Sequence, residues 1–290
     1  MSFDEKLDSG LNLFRRLDPK HVKKNLDDVC TLVQNGSGDT DQLTLELLSS
    51  IDVPLESRKC SESGKEFLCC DYNRDGDSYR SPWSNKYYPS VTVDDDDAPP
   101  PYPSAILRDL EVKANESFDI YRDLYYEGSG VSSVYLWDTA EDEGEPTTLE
   151  NGFAGVVLLS KETDDKLGKW DSIHVFEIIP ESLSTATYNI TTSVILDLAS
   201  PASSLSLSGS LTRQMESSQS LSVEGGVNLE TSHLINLGQL VEKAEYNIRN
   251  LLQEVYFDKL KDIIVKDLRS IGGRTDDTKQ AELVKGLQGL

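Results

Sequence analysis

The chain has 290 residues, 37% of them hydrophobic, with 51 acidic against 28 basic side chains for a net charge of −23. That is enough apolar material for one large core or two small ones, and it argues against disorder. So negative a chain disfavours sequence-independent nucleic-acid binding and simple adhesion to anionic membranes.

In chain order, the first fifty residues read as three short amphipathic helices. Ser2 and Glu5 form a capping box, and Leu7, Leu11, Phe14 and Leu17 make the first apolar stripe. Asp18 and Pro19 restart the chain as an N-cap and first helical position. Val22, Leu26, Val29 and Val33 line the second helix, which stops at "NGSG" (Asn35 to Gly38). Asp39 opens a third helix with Leu43, Leu47, Leu48 and Ile51 on its apolar side. The short connections predict antiparallel neighbours.

An irregular, proline-rich stretch follows, containing "DYNRDGDSYRSPW" (Asp71 to Trp83). It resembles a calcium loop, but the twelfth position, which must supply a bidentate acid, is Pro82. "KEFLCC" before it is a strand pattern, so a tight turn at Gly76 is expected, with Asn73, Asp75 and Asp77 satisfying backbone donors. From Ala105 to Glu127 helical spacing returns through Leu107, Leu110, Ala114, Phe118, Tyr121 and either Leu124 or Tyr125. Gly128 and Gly130 end it.

The period then changes to that of strands. "VSSVYLWD", "GFAGVVLLS", "KWDSIHVFEII", "STATYNITTSVILDLAS" and "SSLSLSGSLTRQ" predict an antiparallel meander with one face on a core. Tyr188, Ile190, Thr192 and Val194 share one face of the fourth strand, and the acidic Thr139 to Asn151 stretch is a hairpin loop. A long helix over residues 233–270 carries Leu234, Leu237, Val241, Ala244, Ile248, Leu251 and Val255. At 1.5 Å per residue it spans roughly 55 Å, so it must lie across a sheet or against another protein. After Gly272 and Gly273, Leu283, Val284, Leu287 and Leu290 form a narrow stripe that nothing in the chain needs to cover.

Catalytic motifs are missing. His21, His174 and His233 fall in three different elements, and neither HExxH, GxSxG nor a phosphate loop occurs. Cys30, Cys60, Cys69 and Cys70 lack metal-site spacing and read as reduced thiols. No secretory signal or transmembrane run is visible, so a cytosolic setting is expected and the sequons at Asn115 and Asn189 read as chance matches.

Six blocks in order, "CDYNRDGDSYRSPWSNKY", "YRDLYYEG", "SSVYLWD", "WDSIHVFE", "GSLTRQME" and "IRNLLQEVYFDKLKDII", closely resemble the beta subunit family of F-actin capping protein. The resemblance implies an α+β fold: an N-terminal three-helix stalk and an antiparallel five-stranded sheet crossed by a long C-terminal helix. A mobile amphipathic C-terminal helix completes it. It divides the chain into the stalk (1–54), a loop region with the turn motif (55–104), and a helix plus meander sheet (105–230). The long helix (231–272) and an actin-binding tail (273–290) follow.

It further implies an obligate heterodimer with a similarly folded alpha subunit, the two sheets joining into one. The dimer is expected at barbed ends of actin filaments, blocking subunit addition and loss independently of calcium, in the cortical cytoskeleton of the cytoplasm. Capping regulators are further expected partners, and no cofactor or catalysis is implied. Leu283, Val284, Leu287 and Leu290 map onto the family's actin-contacting tail, a helix-in-groove mode worth about 6–12 kcal/mol before ordering costs. Gly286 and Gly289 depart from that pattern, each costing about 1 kcal/mol of helix. Candidate basic contacts are Lys259, Lys261, Lys266, Arg269 and Arg274, interleaved with Asp258, Asp262 and Asp267. The rival reading is a non-capping scaffold that uses the long helix to bind other proteins.

Overall fold

A computed structural model describes residues 3–254 except 15, 18–20, 35–40, 50–52, 92–99, 128, 140–148, 165, 167, 183, 199–208 and 225–227. Two compact units are distinguished, residues 1–241 and residues from 242 onward.

The first unit begins with three helices, α1 (Phe3–Phe14), α2 (Val22–Gln34) and α3 (Asp41–Ser49), which contact one another pairwise. Val29, Leu43 and Leu47 are their buried centre, and Leu7, Leu11, Phe14, Leu17 and Val33 pack around it. Leu48 was expected on the same side but is exposed. It follows Leu47 by one residue, about 100° further round the helix, and the centre is already filled by Leu43 and Leu47.

The stretch expected to be irregular is more ordered than its sequence period suggests. β1 (Glu56–Lys59) and β2 (Glu66–Cys69) form one hairpin, while β3 (Arg74–Asp75), β4 (Ser78–Arg80) and β5 (Tyr87–Tyr88) form a small three-stranded sheet. Strands of two to four residues are too short to show alternation. The Asp71–Asn73 segment is a 3-10 turn and Gly76, at φ +55°, closes the hairpin from β3 to β4. Asn73 is the buried pin. Its Oδ1 accepts from the Cys70 amide at 2.8 Å, and its Nδ2 donates to the carbonyls of Leu68 and Arg80 at 3.3 and 2.9 Å. Asp75 and Asp77 make no comparable bond among the described residues.

α4 (Ala105–Tyr125) is capped by Ser104, whose side chain accepts from the Leu107 amide. Its buried side carries Leu107, Leu110, Ala114 and Phe118; Leu124 is 75% exposed and Tyr125 is exposed too. β6 (Val131–Trp137), β7 (Phe153–Glu162), β8 (Gly168–Ser182), β9 (Thr185–Leu198) and β10 (Gly209–Ser222) form one antiparallel sheet in the order β10-β9-β8-β7-β6. β10 runs eight residues beyond the expected end at Gln214, through the polar "MESSQSLS", because an edge strand needs no apolar alternation.

Both faces of this sheet are covered, not one. Phe153, Val157, Phe176, Ile178, Tyr188 and Ile190 pack with α4 and with Leu237, Leu240 and Val241 of α5 (Leu229–Leu252). On the other face Val156 and Leu158 pack with Tyr135, Leu55 and Leu68, with Ile173 and Val175 alongside. Burial on both sides explains why β7 reads as a continuous apolar run. It also explains the broken phase of β8, where Phe176 and Ile173 serve opposite faces. Asp171 ties the second layer down, accepting the Leu55 amide at 2.9 Å and the Ser160 hydroxyl at 2.6 Å.

In the second unit, residues 242–252 continue α5 as helix. Leu252 is buried there and Leu251 exposed, the reverse of the expected stripe. Residues 255–270 of the expected long helix lie outside the described residues.

Candidate functional site

The tail expected to be helical, with Leu283, Val284, Leu287 and Leu290, and the expected basic set Lys259, Lys261, Lys266, Arg269 and Arg274, also lie outside the described residues. Within them, the informative sites are the two edges of the large sheet.

β10 pairs with β9 over its whole length, from Gly209 opposite Leu198 to Ser222 opposite Thr185. Its other edge pairs with no strand among the described residues. Along it Arg213, Met215, Ser217 and Gln219 are half-buried, alternating with exposed Thr212, Gln214, Glu216, Ser218 and Ser220. A 14-residue edge with no second strand beside it among the described residues is a template for another strand. On the second face an open groove runs from Leu26 and Leu55 past Ile173 and Val175 to Gln214 on β10.

β6 is the opposite edge, and α4 occupies it. Asn115 Oδ1 accepts from the Val134 amide and Asn115 Nδ2 donates to the Val134 carbonyl, both at 2.9 Å. One helical turn earlier Glu111 Oε2 accepts from the Leu136 amide at 2.9 Å, and one turn later Asp119 Oδ1 accepts the Ser132 hydroxyl at 3.0 Å. Four helical residues rise about 6 Å and two strand residues about 6.8 Å, so the two ladders stay in step. Asn115 is buried with both ends of its amide engaged, which removes it as a glycosylation acceptor.

Glu111 is fully buried and holds more than the strand. Arg80 forks onto it, Nη1 to Oε1 and Nη2 to Oε2, both 2.8 Å, and Arg108 donates to Oε1 as well. Burial pulls the Arg80 pKa down, but the hydrogen bond and charge of Glu111 outweigh it and the net shift is upward. Arg80 also donates to Asn85 at 2.8 Å and lies 5.5 Å from the centre of the Tyr135 ring. The one trace of this network in the sequence is that Glu111, Asn115 and Asp119 each follow a core residue, Leu110, Ala114 and Phe118, along the flank of the apolar stripe.

The histidines do not converge. His174 is buried on β8 with Nδ1 2.9 Å from the Thr192 hydroxyl, His233 is buried on α5 with Nδ1 2.8 Å from the Tyr188 hydroxyl, and His21 is exposed. Burial lowers the His233 pKa to about 4. The four cysteines are free thiols. Burial drives the Cys70 thiol up to about 12. At Cys60 burial raises the pKa, but hydrogen bonds from Ser63, Ser81 and Ser84 prevail and bring it to about 6. Among the described residues no cluster of metal-ligating side chains occurs, and no helix is long and apolar enough to cross a membrane.

The geometry defines an α+β protein whose sheet has one edge bonded to a helix and the other without a strand partner among the described residues. Comparison with known proteins gives that class a family. A family model described as F-actin capping protein, beta subunit matches residues 7–264, and the chain belongs to this family. It is 67% identical to the F-actin-capping protein subunit beta of Debaryomyces hansenii, over 100% of this chain and 99% of that one. Identity to the same-named proteins is 50% in Yarrowia lipolytica (98% and 99% covered) and 45% in Saccharomyces cerevisiae (99% of each). The solved homodimeric actin capping protein alpha subunit from Plasmodium berghei aligns over 93% of this chain and 98% of its own, at 16% identity and a TM-score of 0.49, too slight a likeness to bear an argument.

Proposed function

We propose that this chain is the beta subunit of a heterodimeric actin capping protein, which binds barbed ends of actin filaments and blocks subunit gain and loss without calcium. The observation that carries this reading is the family match over residues 7–264. The open β10 edge supports the dimer. An alpha subunit presenting its own edge strand there would continue the sheet along the side of β10 that has no strand partner among the described residues. The protein has no catalytic role or cofactor on this reading and works in the cytoplasm at the cortical actin cytoskeleton, where regulators of capping are further partners.

The actin-contacting part is the tail from residue 273, through Leu283, Val284, Leu287 and Leu290, with Lys259, Lys261, Lys266, Arg269 and Arg274 as the basic contacts nearby. The three N-terminal helices form the stalk.

The decisive experiment is elongation of pyrene-labelled actin from filament seeds, with the chain co-expressed with an alpha subunit. Barbed-end growth should stop at saturating dimer; unchanged growth refutes capping. Replacing Leu283 and Leu287 with Asp removes about 1.5–3 kcal/mol of burial per side chain, part of it offset by the ordering the tail no longer undergoes. Dissociation from filament ends should therefore quicken about tenfold or more while the heterodimer stays intact. An unaltered off-rate rejects the tail assignment and favours a scaffold that does not cap.

A further inference from the structure

We propose that Glu111, Asn115 and Asp119 act as a surrogate sixth strand that closes β6 to any other chain, so that the sheet can grow only at β10 and assembly stops at one partner. An open sheet has two edges, and a subunit with two competent edges adds neighbours without limit. In this protein the outward backbone of Val134 is met at both its amide and its carbonyl by a single side chain, Asn115. The outward amide of Leu136 is taken by Glu111. The Ser132 hydroxyl is bound to Asp119, itself 2.9 Å from Arg122. An incoming strand would have to displace all three. It would also have to dislodge α4, whose Leu107, Leu110, Ala114 and Phe118 are sunk in the core.

Asn suits the central position because its amide is the side-chain copy of a peptide group, one donor and one acceptor in a plane. Glu111 is fixed in turn by Arg80 and Arg108, so the carboxylate cannot swing away from the strand. The other edge has no such cover among the described residues. The asymmetry, one sealed edge and one bare, thus selects the stoichiometry as well as the docking side. Only the assignment of the partner to β10 rests on the heterodimer reading; the sealing of β6 stands apart from it.

The test uses the full chain co-expressed with its alpha subunit. Asn115→Leu keeps the bulk of the side chain and a helix-forming residue but frees the Val134 amide and carbonyl. The Val134 amide should then exchange about tenfold faster or more than in the unaltered heterodimer, while Glu111, Asp119 and the core side of α4 still hold the edge. A folded variant whose Val134 amide stays as protected as before overturns the proposal. So does an unaltered heterodimer whose mass in light scattering grows with concentration while residues 131–137 gain protection. Should the variant not fold, the unaltered protein decides. Its Val134 and Leu136 amides should exchange as slowly as the inter-strand amides of β7, and rapid exchange there overturns it. Failure to pair with an alpha subunit at all would strike the heterodimer reading and leave the exchange result at β6 intact.

Discussion

Glu111→Gln is the substitution that best isolates electrostatics from shape. Glu111 is 0% exposed and Arg80 3% exposed, and they meet through two parallel bonds of 2.8 Å. Glutamine preserves the volume and an acceptor for the Leu136 amide, so no cavity opens and no strand donor is orphaned. What changes is charge: Arg80 becomes a buried cation without a counter-ion, and Arg108, 18% exposed at its side chain, stands beside it. Breaking a buried pair from one side typically costs about 3–5 kcal/mol, because the remaining ion keeps its desolvation penalty. Arg80→Met should cost less, about 1–3 kcal/mol, since Glu111 retains Arg108 and the Leu136 amide. The assay is equilibrium urea unfolding of the full chain with its partner, all variants at one protein concentration. A Gln variant within about 1 kcal/mol of the parent, or a Met variant costing more than it, would refute the account.

Two further perturbations test the core. His233 has its pKa lowered to about 4 by burial against an ordinary value of 6.5, so the unfolded chain binds a proton that the folded one refuses. The stability this represents is complete above pH 6.5 and drains away as pH falls toward 4, by up to about 3 kcal/mol. Urea midpoints measured from pH 7 to 4 should fall steeply in the parent and less so in His233→Asn; equal slopes would remove His233 from the explanation. A Cβ at Gly155 would lie 2.5 Å from Phe176 Cζ, 2.6 Å from Leu136 Cδ2 and 2.8 Å from the Tyr135 carbonyl oxygen. The ring can shift but the carbonyl cannot, so Gly155→Ala should cost about 1–3 kcal/mol. Calorimetry should show Tm lower by several degrees, and an unchanged Tm would mean the strands part more easily than their register implies.

What could be read in advance depended on how local each signal was. Four strands of the large sheet, β6 to β9, are announced by stretches rich in Val, Ile and aromatics, and α4 and α5 by steps of three and four, whereas the polar β10 carries no such signal. The small sheets of residues 56–88 are silent because their strands are shorter than the period they would have to display. Leu48, Leu124 and Leu251 were misplaced for a different reason. A helical stripe fixes only the middle of a buried face, and its margins are settled by neighbours from other elements or by none. The sealed edge lay furthest from view. Arg80 and Glu111 are 31 residues apart, Glu111 and Leu136 25, and no pattern along the chain couples them. The sequence does announce the family, since its blocks are strings of identity, which do not depend on geometry.

The hydroxyl-rich composition of β10 has a consequence for how a newly made subunit waits for its mate. Ser217, Ser218 and Ser220 give the strand little grease, so a solitary chain can expose this margin to water without sticking to unrelated proteins. The attraction that remains is that of peptide groups, which are alike in every polypeptide. On the proposed docking at β10, discrimination between the correct mate and an impostor must therefore be exercised by whatever flanks the seam, above and below, and not by the seam itself.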